Sequence, residues 1–472
     1  MGGEHPKVLY PICGRPMLHY VLDAVADLRP SRIALVVGHG REAVRAAVGN
    51  RPNVRFAVQE ELLGTGHAVA QARAEFDGFE GTVLVLYGDT PGLRAEDLRQ
   101  LVQSCPKGGV AFLTAELDRP RSYGRIVRDA AGIFVAIREE KDASASERGI
   151  RECNLGAYAF DARRLFETLD GLLSQPLPSG RTEFYLTDVV ERMKNGGAEV
   201  AIRRTEDPQA WLGVNTLQEL VRSGRFVQDR ILATHLGRGV RIVDPATTYI
   251  DWNVEIGEGT IVYPCTVVEG GTKIGSGCQV GPFTHLRPES VLRDGAEVGN
   301  FTEVKRSVLG SGAKAKHLSY LGDAEIGPGV NVGAGTITAN WDGRGKSRTT
   351  IEEGAFIGSG TVFVAPVTIG RGARTGAGAI VTKGTRVPDG ETWVGVPARP
   401  LPSRPPEPPG AQRDPGAQRD PGAQRDPGAQ RDPGAQREPG AQREPGAQRE
   451  PGAQREPGAQ RDKGKESNAA RR

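Results

Sequence analysis

The chain of 472 residues predicts a doubly wound α/β domain, then a solenoid of short parallel strands, then an unstructured tail. Three observations carry that reading. From Ile250 an apolar residue falls every six positions, at Ile250, Ile256, Val262, Val268, Ile274, Val280, Leu286, Leu292, Val298 and Val304; that beat fits neither a helix nor a hairpin sheet and winds a chain into stacked coils. Ahead of it, residues 1–215 alternate apolar runs with amphipathic segments, the pattern of an open sheet covered by helices. After Pro400 the chain passes into repeats of Pro-Gly-Ala-Gln-Arg-Asp or Glu that carry no aliphatic larger than alanine, so the expected tail, residues 399–472, has almost nothing with which to build a core.

In the first region Arg32 to Gly38 and Thr82 to Asp89 have the continuous apolar character of buried parallel strands, while Met17 to Leu28 and Glu42 to Val48 have helical spacing. A strand ending in Gly88-Asp89 delivers a carboxylate to the carboxyl edge of the sheet, where ligands of such folds bind. Residues 216–236 predict a linking helix: Thr216 and Glu219 stand at capping-box spacing, and Leu217, Leu220, Val221, Val227 and Ile231 share one face. The solenoid covers 237–398. Its beat slips near Leu309, resumes at Ile326 and Val332, breaks from Asn340 to Thr350, and returns at Ile351, Ile357, Phe363 and Ile369. Such breaks are where loops leave the coil, and loops of this kind commonly carry sites. Removing the chain beyond Pro400 is expected to leave the melting temperature and the catalytic rate unchanged; a fall of several degrees in a thermal melt would show that the tail docks.

Net charge is +3, from 61 basic and 58 acidic residues, which gives no electrostatic footing for general nucleic-acid or membrane-surface binding. Cys13, Cys105, Cys153, Cys265 and Cys278 have no paired metal spacing, and their odd number argues against a disulfide framework, so a reducing cytoplasm is expected. No apolar run spans a bilayer and no apolar signal region follows a charged start.

Chemistry concentrates in a few segments. The Leu63-Gly64-Thr65-Gly66-His67 turn can bring backbone N–H groups against a base or phosphate, and Asp89 is a hard oxygen ligand suited to magnesium, although a glycine turn also serves as a plain turn and a strand-end Asp as a helix cap. In the solenoid, Arg287, Lys305 and Lys346 suit a phosphate dianion, His317 suits a base near neutral pH, and Asn331, Asn340 and Ser359 offer neutral hydrogen bonds.

The order of these segments is more specific than any one of them. Lys7 to Met17, Leu63 to Ala68, Tyr87-Gly88-Asp89, Tyr123-Gly124-Arg125-Ile126 and Gly213-Val214-Asn215 follow one another as in sugar-phosphate nucleotidyltransferases. Leu286-Arg287-Pro288, Gly299-Asn300-Phe301, His317 to Asp323, Asn331 to Thr336, Asn340-Trp341-Asp342-Gly343 and Ile357-Gly358-Ser359 continue the likeness through the solenoid. Over residues 4–398 the chain resembles the bifunctional N-acetylglucosamine-1-phosphate uridyltransferase and glucosamine-1-phosphate acetyltransferase family.

The resemblance implies a Rossmann-like nucleotidyltransferase domain, a left-handed β-helix of hexapeptide repeats, a homotrimer with acetyl sites shared between neighbours, and a cytoplasmic role in supplying cell-wall precursor. It implies that Lys7, Gln59, Gly64, Thr65, Tyr87, Gly88, Gly124, Glu139 and Asn154 contact the uridine nucleotide or the sugar, with Asp89 and Asn215 holding Mg2+. Glucosamine 1-phosphate is expected at Arg287, Lys305, Tyr320, Asn331 and Lys346, and acetyl-CoA along Ala334, Asn340, Trp341, Ser359 and Ala377. His317 is the expected base, with Glu303 a candidate to orient it. UTP and N-acetylglucosamine 1-phosphate are the expected substrates of the first half.

Three departures qualify the likeness. Trp341 stands where the family usually has Tyr. Val394 to Pro397 lacks the Arg that typically reaches the CoA phosphates, leaving Arg399 as the candidate substitute. The family also opens with a strand and a glycine-rich phosphate loop ahead of its Pro-Lys-Val-Leu motif, whereas five residues precede Pro6 here. The expectation is therefore a chain without the triphosphate cradle and a central strand, with its neighbours' edges open, transferring acetyl groups but little uridyl. Two other readings compete: a different sugar-1-phosphate nucleotidyltransferase with a purely architectural solenoid, and a non-catalytic scaffold on the same fold.

Overall fold

The computed structural model describes residues 5–177 and 180–401. From residue 402 onward the expected tail lies outside the described residues.

Met17–Ala26 and Arg41–Val48 are helical, as their spacing predicts. A six-stranded sheet is organised on the long strand Glu152–Asp161, which bonds to Val110–Glu116 on one edge and to Thr82–Val85 and Arg125–Arg128 on the other. Alternation along Val110 to Leu113 sends Val110 and Phe112 to one face and Ala111 and Leu113 to the other. The first face packs on Leu165, Leu169 and Val189, the second on Leu98, Leu101 and Trp211.

The sheet is mixed, which corrects the expectation of parallel neighbours for Thr82 to Asp89. Val200–Arg204 runs parallel to Val110–Glu116, but Thr82–Val85 is antiparallel to Glu152–Asp161. An apolar run reports burial on both faces and carries no record of direction. Ile33–Val37 pairs in parallel with Val54–Val58 as a separate two-stranded sheet.

Among the described residues, Ile33–Val37 and Thr82–Val85 are each bonded along one edge only. Both border a cavity of about 930 Å3, into which Leu35, Val37, Val83 and Val85 contribute. Along these edges the backbone faces the cavity and no further strand among the described residues. They explain why most of Ile33–Val37 is only partly buried despite its composition.

The linking helix spans Leu217–Gly237 and begins with the anticipated capping box, Glu219 N–H donating to Thr216 Oγ1 at 3.1 Å and Thr216 N–H to Glu219 Oε2 at 3.0 Å. Its buried side is the expected one in part: Val227 is buried and Leu220 and Ile231 pack against buried residues. Leu217 and Val221 are exposed, and burial moves to Val227, Gln228, Leu232 and His235, where the helix meets the first coil and Gln228 Nε2 donates to Ile250 O at 3.1 Å. In the first turn only Leu220 finds a packing neighbour, among Ile12, Met17 and Val214. Thr216→Ala is expected to cost about 1 kcal/mol, measured by denaturant unfolding, because the Glu219 N–H loses its Oγ1 partner while the N–H of residue 216 keeps Glu219 Oε2.

The solenoid is a left-handed parallel β-helix with walls of ten, eight and eight strands. Val262 faces Val280 and then Val298, each 18 residues on, so three hexapeptides make one coil. At the slip the coil shortens by one residue, with Val298 facing Ala315 and Val304 facing Leu321, and the aliphatic columns stay in line. Buried hydroxyls serve the corners: Thr260 Oγ1 donates to Gly275 O at 2.7 Å and accepts from Cys278 N at 3.0 Å. That turn thereby finds inside the coil the partners that water would otherwise supply.

Candidate active sites

In the first half, Tyr87, Asp89, Gly124, Glu139, Asn154 and Asn215 converge on one pocket of about 170 Å3. Sheet and loops hold it from below. Asn154 Nδ2 donates to Tyr158 Oη at 2.6 Å, and its Oδ1 accepts from Gly156 N at 3.2 Å. Gly156 has a φ of +75°, and an added Cβ would stand 2.2 Å from the Tyr87 ring, so only glycine lets that ring cross. Glu139 Oε1 accepts from Thr187 Oγ1 at 2.9 Å, and burial raises its carboxyl above the usual range.

Asp89 O accepts from Val214 N at 3.0 Å, and Gly213 N donates to Tyr123 Oη at 3.0 Å, which ties the strand end to the Gly213-Val214-Asn215 segment. Lys7 Nζ lies between Asp89 Oδ2 at 2.5 Å and Asn215 Oδ1 at 2.7 Å. A cation thus already sits between two hard oxygens. One carboxylate and one amide fit a magnesium ion that keeps water and substrate phosphate as its other ligands.

Gln59, Thr65 and Gly88 border the larger cavity instead, together with Lys7 and Tyr87. Gln59 Nε2 donates to Gly64 O at 3.1 Å, and Thr65 Oγ1 accepts from Leu186 N at 3.0 Å. At Gly64, with a φ of +101°, a side chain would meet Phe184 O at 2.6 Å. The predicted residues therefore divide between a small polar pocket and the mouth of a larger apolar one, joined by Tyr87. Tyr123 and Trp211 also line the pocket and were not expected as contacts; Trp211 belongs to none of the motifs above, whereas Tyr123 belongs to one.

In the solenoid, His317 ends the strand Lys314–His317, exposed and paired in register with Asn300. Corner bonds run from Leu318 N to Asn300 O at 2.8 Å, Gly335 N to Leu318 O at 3.0 Å, Gly360 N to Ala334 O at 2.7 Å and Gly378 N to Ser359 O at 2.8 Å. His317, Ala334, Ser359 and Ala377 are consequently stacked on one corner in successive coils.

Past that corner, on the adjoining wall, stand Arg287, Lys305 and Tyr320. Lys305 is opposite Gly322, and Glu303 is opposite Tyr320. The Glu303 carboxylate accepts from Arg287 Nη1 at 3.0 Å, so its ion pair in this chain is with Arg287. At Gly322 an added Cβ would lie 2.6 Å from Tyr320 Oη and 2.7 Å from Asn340 Nδ2, so these two predicted residues meet over a glycine. Beside them Arg306 clamps Asp323 through Nε at 2.7 Å and Nη2 at 2.8 Å, and Asn340 Nδ2 also donates to Asp323. Arg306 and Asp323, 17 residues apart, are one shortened coil apart, the signal that the motif reading passed over.

Asn331 stands on the opposite side of the corner, between Lys314 and Phe356. Trp341 and Lys346 lie on the excursion that breaks the beat, bridged through their backbones and exposed. Asp342 fixes that loop: its Oδ1 accepts from Gly345 N at 2.9 Å and Arg344 N at 3.0 Å, and its Oδ2 from Lys383 Nζ at 3.1 Å, which together hold its carboxyl down to about 2. Arg399 pairs with Val394 at the last coil and donates to Ala398 O at 3.0 Å.

Fold and sites together define a two-part transferase, a nucleotidyltransferase domain joined to a hexapeptide-repeat acyltransferase. Residues 1–178 match the MobA-like NTP transferase domain, and residues 348–383 match the bacterial transferase hexapeptide with six repeats. The chain is 41% identical to the bifunctional protein GlmU of Geobacillus sp. (strain WCH70), over 81% of this chain and 90% of the relative. It is 44% identical to the bifunctional protein GlmU of Burkholderia thailandensis, over 80% and 90% respectively. The chain belongs to the family of bifunctional GlmU proteins.

Proposed function

We propose that the two halves act in sequence to make UDP-N-acetylglucosamine, with the residues above in the roles their positions suit. In the solenoid, the amine of glucosamine 1-phosphate attacks the thioester carbonyl of acetyl-CoA, His317 takes the proton released by the amine, and the C–S bond breaks to give N-acetylglucosamine 1-phosphate and CoA. Arg287 and Lys305 offset the phosphate charge, and Tyr320 orients the sugar. CoA runs along the corner past Ala334, Ser359 and Ala377, with Trp341 and Asn340 closing over it. The observation that carries this reading is that column: His317 opens a continuous corner whose next three coils present small residues, as a long thin cofactor requires.

In the first half, a phosphate oxygen of N-acetylglucosamine 1-phosphate attacks the α-phosphorus of UTP and pyrophosphate leaves. The small pocket holds the sugar through Asn154, Glu139 and Gly124. A magnesium ion held by Asp89 and Asn215 would neutralise charge on the reacting phosphates. Uridyl transfer is the weaker step in this chain, because Lys7 and Gly88 open onto a cavity whose two strand edges have no neighbour among the described residues.

The exposed apolar residues on the solenoid corner support assembly of the chain as a homotrimer. Phe283 and Phe301 stack at 5.2 Å in solvent, and Leu318 follows one coil on. No helix among the described residues is long and apolar enough to cross a membrane, and the five cysteines are free, which suits a reducing cytoplasm.

Mass spectrometry of the products formed from glucosamine 1-phosphate, acetyl-CoA and UTP tests the scheme, with sedimentation for the trimer. N-Acetylglucosamine 1-phosphate should accumulate, followed by a smaller amount of the UDP-sugar. No acetylated sugar from a folded trimer would overturn it.

A further inference from the structure

The cation at the mouth of the small pocket is supplied by the chain itself. Lys7 Nζ donates to Asp89 Oδ2 at 2.5 Å and to Asn215 Oδ1 at 2.7 Å, the two oxygens assigned above to a metal. The main chain that carries those oxygens is held without the lysine: at Asp89 through its carbonyl, which accepts from Val214 N at 3.0 Å, and at Asn215 through its N–H, which donates to Glu219 Oε2 at 2.9 Å beside the capping box. The ammonium is the movable partner, on a long stem that is 33% exposed.

A magnesium ion bonds oxygen at about 2.0–2.1 Å. One bonded to both oxygens would stand where the ammonium now stands, and two cations cannot share that point. We propose that Lys7 is a resident counter-ion that a divalent cation must displace, and that displacement swings its charge towards the incoming polyphosphate. The inference rests on the functional reading of Asp89 and Asn215 as metal ligands.

The two cavities give the swing a direction. Asp89 and Asn215 line the small pocket, whereas Lys7 and Gly88 line the larger one. Leaving Asp89 therefore takes the positive charge from the sugar side to the side that receives the nucleotide. Before the metal arrives, the lysine keeps a largely buried carboxylate from standing unpaired, 14% of its side chain being exposed. Metal and lysine thus exchange places, and both charges end on the phosphates.

The test uses the full chain with Mn2+ as the probe, bound metal being counted by electron paramagnetic resonance. Lys7→Met should bind Mn2+ roughly tenfold more tightly than the wild type, since the competitor is gone. Lys141→Met, which removes an equal charge from an exposed side chain paired with Glu183, should leave the affinity unchanged. Asp89→Asn should abolish the gain. In the wild type, Mn2+ should raise the rate at which an N-hydroxysuccinimide ester acylates Lys7, read by peptide mass spectrometry. Equal or weaker Mn2+ binding by folded Lys7→Met, or Lys7 reactivity indifferent to Mn2+, overturns the proposal. Neither readout uses turnover, so a chain that exchanges lysine for metal yet makes no UDP-sugar would overturn the functional reading and leave this one standing.

Discussion

The His317→Ala protein is expected to fold like the wild type and to acetylate glucosamine 1-phosphate about 10²-fold more slowly, or worse, the usual scale for losing a positioned base. The imidazole is exposed at a strand end, so truncation opens no cavity. The local backbone keeps its partners: Asn300 remains opposite residue 317, and Ser319 Oγ still donates to the carbonyl at position 317, at 2.8 Å in the wild type. Stability should accordingly change by a few tenths of a kcal/mol, about as expected at an exposed site. Circular dichroism, with kcat and KM measured separately, checks both statements. A KM near the wild-type value with a collapsed kcat is the expected pattern, because the base acts on the amine during reaction and the sugar phosphate is held by Arg287 and Lys305. Wild-type turnover in a folded variant would remove His317 from the chemistry.

Trp211→Ala should cost about 3–5 kcal/mol of stability in the N-terminal half, the range for emptying a fully buried indole site. Trp211 is 1% exposed, packs with Leu98, Leu101 and Leu113, and also forms part of the pocket wall. Its Nε1 has no hydrogen-bond partner, so the loss is one of packing alone. Hydrogen exchange should show weakened protection in Val110–Glu116 and Ala95–Gln103, with the solenoid strands unaffected. Acetyl transfer at 25 °C should stay close to the wild-type rate. A parallel fall in acetyl transfer would mean that damage in the first half reaches the His317 corner.

How much of this was legible beforehand depends on which physical property a sequence records. The solenoid was readable because each coil repeats the same inward position, and even the slip at Leu309 left a phase change that the structure resolves as a coil one residue shorter. The corner column was not readable. Ser359 follows Ala334 by 25 residues, because the Asn340 to Thr350 excursion intervenes, and nothing in a linear pattern says that they are neighbours. Strand direction was likewise hidden: the apolar run from Thr82 is the same run whether its neighbour is parallel or antiparallel. Leu217 and Val221 lie on the apolar stripe of the linking helix and still face solvent, since a stripe shows what could be buried and only a neighbour decides what is. The likeness in motif order singled out the pocket residues Tyr87, Asp89, Gly124, Glu139, Asn154 and Asn215 in the first half. The Arg306–Asp323 clamp needed the coil geometry.

The stacking of coils also decides where the solenoid opens. Each coil touches only the one above and the one below, so breaking inward from an end costs one interface at a time, while opening in the middle breaks two at once. The strand that carries His317 is fifth of the ten on its wall. Fraying from either end, whether at Arg241–Ile242 or at Thr392–Val394, must peel away several coils before it disturbs that corner. Amides near His317 should be among the last in the solenoid to exchange with solvent. The reacting group thus stands on the least easily opened stretch of the rod, although its own side chain is fully open to substrate.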